Sequence, residues 1–202
     1  MSTSILSYPL PQVLIGSIVL VTVLGWMVKP IRRALILVPF KVRQNVELHR
    51  LLTAAWLHAD LTHLLFNMIT LYFFAEPVMR GFGATRFLVL YVTAAPIAFV
   101  PTLIRYMRNP KYATLGASGA VSAIMFSAIL LHPTRKLSLL FVPFAIPAIY
   151  FGLGYLAYSI WHSLSDRDNV NHDAHFAGAL YGAIYTYLLE PEQVSRALHS
   201  VF

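Results

Sequence analysis

The chain has 202 residues, 58% hydrophobic and only 11% charged, against ~25% charged in an ordinary soluble domain, which excludes disorder and argues against a globule whose surface so few charges would have to cover. It contains no cysteine, so disulfides, thiolate chemistry, Cys-ligated zinc and iron–sulfur clusters are excluded. The net charge of +7 is read as juxtamembrane Lys and Arg facing anionic lipid headgroups; the basic residues are scattered between apolar runs and form no stripe for nucleic acid.

The mean hydropathy of +0.67 is concentrated in long apolar runs, which predicts an all-α, polytopic membrane protein. Six spans follow in chain order, and residues 1–202 are read as one domain with no length left for a soluble one. No Lys or Arg precedes Lys29, so a signal peptide with a basic start is not expected. The first span covers about 10–28, before Lys29-Pro30. A loop carrying Arg32, Arg33, Lys41, Arg43, Glu47 and Arg50 leads to the second, about 60–79. The third covers about 87–104 and the fourth about 115–131, stopping at His132-Pro133. The fifth, about 138–161, holds Pro143, Pro147, Gly152 and Gly154 among large aromatics, and is expected to be kinked and loosely held. The sixth covers about 174–189. Its Ala174, Gly178 and Gly182 recur every fourth residue, and the fourth span opens with Gly116, Ala117, Ser118, Gly119 and Ala120. Small residues let backbones approach, so these two spans are expected to pack together.

Polar groups in hydrocarbon are costly and ask for a reason. His63 and Asn67, four apart, share a face of the second span, which His58 precedes. Asp60 is placed to cap that helix. Ser118 stands beside glycines at the start of the fourth span, and His175 opens the sixth, where Asp173 reads as a cap or a solvated loop residue. Spans two, four and six enter from the same membrane side, so these residues share one leaflet and a similar depth. A serine needs a base to take its proton, and histidine is the usual one near neutral pH. Acyl transfer also needs donors aimed at the developing oxyanion, which Asn, His and helix-start N–H groups supply. Gly116 and Gly119 would let the backbone around Ser118 adopt unusual angles and let a substrate approach closely.

At these residues the sequence resembles the rhomboid family of intramembrane serine proteases. His58-x4-His63-x3-Asn67 resembles its second-helix signature, Gly116-Ala117-Ser118-Gly119 its nucleophile motif, and Ala174-His175-x2-Gly178-x3-Gly182 its sixth-helix pattern. The stretch from Asn169 to Phe176 looks like a bacterial branch, which implies a bacterial cytoplasmic membrane. The resemblance implies a Ser–His dyad without an acidic third member. Ser118 would be the nucleophile and His175 the general base and later acid. The oxyanion would rest on His63, Asn67 and the Ser118 backbone N–H, with His58 shaping the site. No cofactor or metal is implied; the partners would be transmembrane protein substrates and lipids. The fifth helix becomes a candidate lateral gate.

Two residues depart from the family pattern. The first-loop Trp-Arg pair is His49-Arg50 here, and Ser122 stands four residues after the nucleophile, where some members place an aromatic against the catalytic His. The family topology, with a cytoplasmic N-terminus, leaves ten of the fifteen Lys and Arg on the outer side, the reverse of the positive-inside rule. It is followed because the first loop is expected to fold as its own element at the membrane surface. The rival readings are a catalytically silent rhomboid-like binder, a metalloenzyme using His58, His63, His172, Asp173 and His175, and a transporter. The metalloenzyme lacks a His-Glu-x-x-His motif, and a transporter would want more in-span charge than Glu76.

Overall fold

A computed structural model describes residues 10–138, 143–165 and 170–201. Asn169 of the bacterial-like stretch, Arg167 of the charge count and residues 139–142 of the expected fifth span lie outside them. Helix α1, Leu10–Met27, ends before Pro30. The first loop is then almost entirely helical: α2 (Lys29–Leu35) and α3 (Pro39–Asn45) each carry a proline within the first two positions, which suits the first helical turn, and α4 (His49–Thr53) runs into a 3-10 turn, Ala54–Trp56. Arg50 is buried; it donates to the carbonyls of Arg33 (2.8 Å) and Ile36 (2.7 Å) and pairs with Glu47, so it ties off the end of α2. His49 lies 3.3 Å from the Ala34 carbonyl through Nε2.

Helix α5, Leu61–Phe82, starts where expected: the Asp60 carboxylate accepts from the His63 backbone N–H at 2.8 Å. It ends at Gly83, whose φ of +81° only glycine adopts at little cost. The third span breaks in two, α6 (Ala84–Ala98) and α7 (Val100–Tyr106), around Phe99 with Pro96 and Pro101 on either side. Helix α8, Ser118–Leu131, is shorter than expected and buried along almost its whole length. A two-stranded hairpin, β1 (Lys136–Leu137) with β2 (Ile146–Pro147), pairs antiparallel in the register Lys136↔Pro147. Helix α9, Ala148–Ser165, therefore begins ten residues later than the expected fifth span. Pro143 and Pro147 precede it and cannot kink it. Helix α10, His172–Leu189, begins two residues early, because Asn171 caps it by accepting from the Ala174 N–H at 3.1 Å. An amphipathic α11, Pro191–His199, ends the described chain; nothing in the sequence pattern announced it.

The helices surround α8, and their outer faces stay apolar. On α5, Leu64, Asn67, Met68, Leu71 and Ala75 face inward, while Leu61, Leu65, Phe66, Ile69 and Phe73 lie exposed. A helix apolar on both faces suits a lipid surround, and exposed apolar area on this scale is foreign to soluble monomers. By length and composition alone, two described helical stretches are long and apolar enough to cross a membrane, Leu10–Met27 and Ala84–Tyr106. Helix α8, at 14 residues, falls short by length; protein on every side relieves it of the need to match the bilayer.

Candidate active site

Ser118 opens α8, so its backbone N–H is among those an α-helix leaves without an internal acceptor. The strand of chain leading to it is fastened by the first loop. Leu37 and Thr114 exchange backbone bonds (3.1 and 2.9 Å), Gly116 N–H donates to the Ala54 carbonyl (3.0 Å), and Ala117 N–H reaches His58 Nε2 at 3.4 Å. Gly116 has φ +133°, a conformation closed to side chains. A Cβ there would also sit 2.8 Å from His63 Cε1 and 3.7 Å from Ser118 Oγ, so glycine lets the His63 ring and the Ser118 hydroxyl share one small space.

His58 is buried and fully engaged. Its Nε2 accepts from Ala117, so its Nδ1–H donates to Thr22 Oγ1 (3.1 Å), whose own hydroxyl donates to the Trp56 carbonyl (3.0 Å). This pattern requires the neutral ring. Burial holds the His58 imidazole down at about 3 from its ordinary 6.5; the neighbouring His63 adds to the effect and Asp60 opposes it. The rings of His58 and His63 meet edge to face with centroids 4.9 Å apart. Asn67, one turn further along α5, is buried and donates one amide N–H to the His63 carbonyl at 2.9 Å. Its second N–H leaves a donor for another acceptor.

His175 arrives on α10, and small residues decide where. A Cβ on Gly119 would lie 3.1 Å from the Ala174 carbonyl, and one on Gly178 only 2.0 Å from the Gly119 carbonyl. One on Gly182 would lie 2.1 Å from the Ala123 carbonyl. The first turns of α8 and α10 are thus in backbone contact, with Ser118 and His175 each one residue from the Gly119–Ala174 touch point. Both are half-buried. Tyr155 of α9 lies along the His175 ring, centroids 6.1 Å apart and planes 20° off parallel, and its hydroxyl is 2.6 Å from Ser122 Oγ. His172 meets His175 edge to face at 5.5 Å. Among the described residues, no three His, Asp or Glu gather as a metal site would require.

The site lies where α5, α8 and α10 begin, and its Gly-x-Ser-Gly and Ala-His-x2-Gly segments fall within the stretch matched by the family profile of the rhomboid domain, residues 45–192. The chain belongs to the rhomboid family. RHOMBOID-like protein 12, mitochondrial, of Arabidopsis thaliana is 37% identical over 68% of this chain and 45% of its own length. YdcA of Bacillus subtilis, named as a candidate rhomboid protease, is 41% identical over 38% of each chain. The human presenilin-associated rhomboid-like protein, mitochondrial, is 26% identical over 67% of this chain and 36% of its own. The chain spans less than half the length of these relatives. Rhomboids are membrane proteins, in keeping with the apolar outer faces.

Within this rhomboid, the motif residues converge from three helices. His63 and Gly116 touch, Ser118 lies beside them, and Gly119, Ala174, Gly178 and Gly182 form the α8–α10 seam. One expectation needs correction. Asp173 neither caps α10 nor lies solvated: it is largely buried, bonds Ser163 of α9 and pairs with Arg105 at 3.2 Å. The cap is Asn171, whose Oδ1 also accepts from Thr102 at 2.9 Å. Ser122, at the position where some family members carry an aromatic, is buried with its hydroxyl against that of Tyr155. Sequence reasoning missed Tyr155, one aromatic among many on α9, and Thr22, whose partner is 36 residues away.

Proposed function

We propose that this rhomboid is an intramembrane serine endopeptidase, a single domain of six membrane-spanning segments built on α1, α5, α6–α7, α8, α9 and α10. It would hydrolyse peptide bonds in or near transmembrane segments of other proteins. The observation that carries the reading is the backbone seam between Gly119 and Ala174, which supports a nucleophile and a base held one residue away on either side. His175 takes the proton of Ser118 Oγ as that oxygen attacks the scissile carbonyl. The tetrahedral oxyanion is met by the Ser118 N–H, the His63 ring and the spare N–H of Asn67. His175 then gives its proton to the departing amine. A water, deprotonated by the same imidazole, cleaves the acyl-enzyme and regenerates Ser118. The substrate must unwind locally, because a helix hides its carbonyls, so small or helix-breaking residues near its membrane edge are favoured. His58 stays neutral and structural, holding Ala117 in place.

The bacterial-like stretch favours a bacterial cytoplasmic membrane, with lipids and single-span proteins as partners. The test is cleavage of a panel of single-span substrates in detergent and in vesicles. Wild type is expected to cut at least one, and Ser118→Ala to cut none while keeping its thermal midpoint. A fluorophosphonate should label Ser118, and His175→Ala should abolish the labelling. Substrates captured at equal affinity by wild type and Ser118→Ala, with neither cut, would instead mark the chain as a rhomboid-like binder.

A further inference from the structure

A catalytic imidazole needs more than proximity: its ring must present one nitrogen to the hydroxyl, and two side-chain torsions are free to spoil that. In Ser-His-Asp sites a carboxylate sets the ring. The nearest acid in sequence here, Asp173, is two residues away, and i, i+2 positions on a helix do not face each other. Its carboxylate is occupied by Arg105 and Ser163. The flat face of His175 meets Tyr155, within the 4.5–7 Å separation typical of offset aromatic stacks. The Tyr155 ring is itself held at both ends, by the α9 backbone at one and by Ser122 Oγ at the other. Ser122 follows Ser118 by four residues and so lies on the same face of α8.

Resting on the assignment of His175 as general base, we propose that Tyr155 is its positioning residue, and that Ser122 is the residue that positions Tyr155. The nucleophile's own helix then sets the orientation of the base: Ser118 and Ser122 share α8, Ser122 clamps Tyr155, and Tyr155 flanks His175. The aromatic comes from α9, whereas the imidazole rides on α10. Any displacement of α9 withdraws the ring, so the orientation of the base depends on α9 being docked.

The test uses the full chain in micelles with 15N-labelled histidine, read by His175 ring proton shifts and by steady-state cleavage. Tyr155→Leu should remove the ring-current shift of His175 and lower kcat by about 10- to 100-fold, with KM within about twofold, as expected for a misaligned rather than missing group. Fluorophosphonate labelling of Ser118 should slow by a similar factor. Tyr155→Phe keeps the ring and loses one hydrogen bond, so it should retain the ring-current shift and lose only about fivefold in kcat. Ser122→Ala removes the same bond and should match it, and the double variant should be no worse than either single one. The proposal is overturned if Tyr155→Leu leaves the His175 shifts or kcat unchanged, if it acts through KM alone, or if the Ser122 and Tyr155 effects add. Should wild type neither cleave nor label, the protease reading fails on its own, and the His175 shifts of wild type against Tyr155→Leu decide the positioning role alone.

Discussion

Helix α8 meets two neighbours in opposite ways. Against α10 it is joined backbone to backbone: added methyl groups on Gly178 or Gly182 would land 2.0 and 2.1 Å from α8 carbonyl oxygens. Against α9 it meets side chains only, with Gly152 opposite the tip of Ile129, Phe126 tilted against Tyr155, and the Ser122–Tyr155 bond. The first contact leaves no slack, because carbonyl oxygens cannot rotate away. The second can be undone by rotamer changes and the loss of a few polar bonds. The pair proposed as nucleophile and base, Ser118 and His175, stands on the rigid seam. The helix expected as a lateral gate, α9, stands on the yielding one.

Substitutions along the two seams test this contrast. The largest effect is expected from Gly178→Ala or Gly182→Ala. Each must push two helices apart, at a cost at or beyond the ~1–3 kcal/mol of ordinary overpacking, read as a steep loss of thermal midpoint in micelles. Acid should come next, through the His58 anchor beside the rigid seam. The folded-state value of about 3 lies below the ordinary 6.5, so the unfolded chain binds the proton first. Stability is fully present above about pH 6.5 and falls as the pH drops toward 3. A midpoint measured across that window should slope downward in wild type, and His58→Asn should start lower and slope less. The smallest effects belong to the yielding side. A methyl on Gly152 meets side-chain tips, Ile129 Cδ1 at 3.1 Å with Ile129 Cγ2 and Phe126 Cε1 at 3.5 Å, and one on Gly154 meets nothing within 4 Å. Gly152→Ala should therefore stay within about 1 kcal/mol of wild type, and Gly154→Ala should be neutral or gain up to ~1 kcal/mol of helix propensity. A Gly152→Ala loss as large as that of Gly178→Ala would erase the contrast.

Much of the site could be read from local pattern. The spacing of Ala174, Gly178 and Gly182 pointed to a close partner, and the small residues opening the fourth span pointed to which one. The same-side entry of three spans predicts His63, Ser118 and His175 at one depth; in the structure Gly116 lies beside His63 and Gly119 beside Ala174. Asp60 was recognisable as a cap because its bond is made within one turn. Less was legible on α9. Its start was set too early because the apolar run reaches back ahead of the helix to the paired strands β1 and β2, and hydropathy cannot tell a short strand pair from a helix. Tyr155 was hidden among Tyr150, Phe151, Tyr158 and Trp161, since nothing local distinguishes the one ring that meets a histidine. Asp173 looked like an ordinary cap because its partners, Arg105 and Ser163, lie on other helices.

The amino-acid sequence by itself determined the membrane-loving helices, the small-residue seam and the order in which the His-x4-His-x3-Asn, Gly-x-Ser-Gly and Ala-His-x2-Gly motifs appear. These follow from composition and from helical periodicity, which act within a few residues. Only the tertiary structure decided that the first loop fastens the backbone ahead of Ser118, that His58 is spent on holding Ala117, and that an aromatic from α9 lies against His175. Those contacts join residues 20 to 77 positions apart on one chain, and the side-chain rotamers and helix crossings that bring them together are set by packing, which no short window of sequence contains.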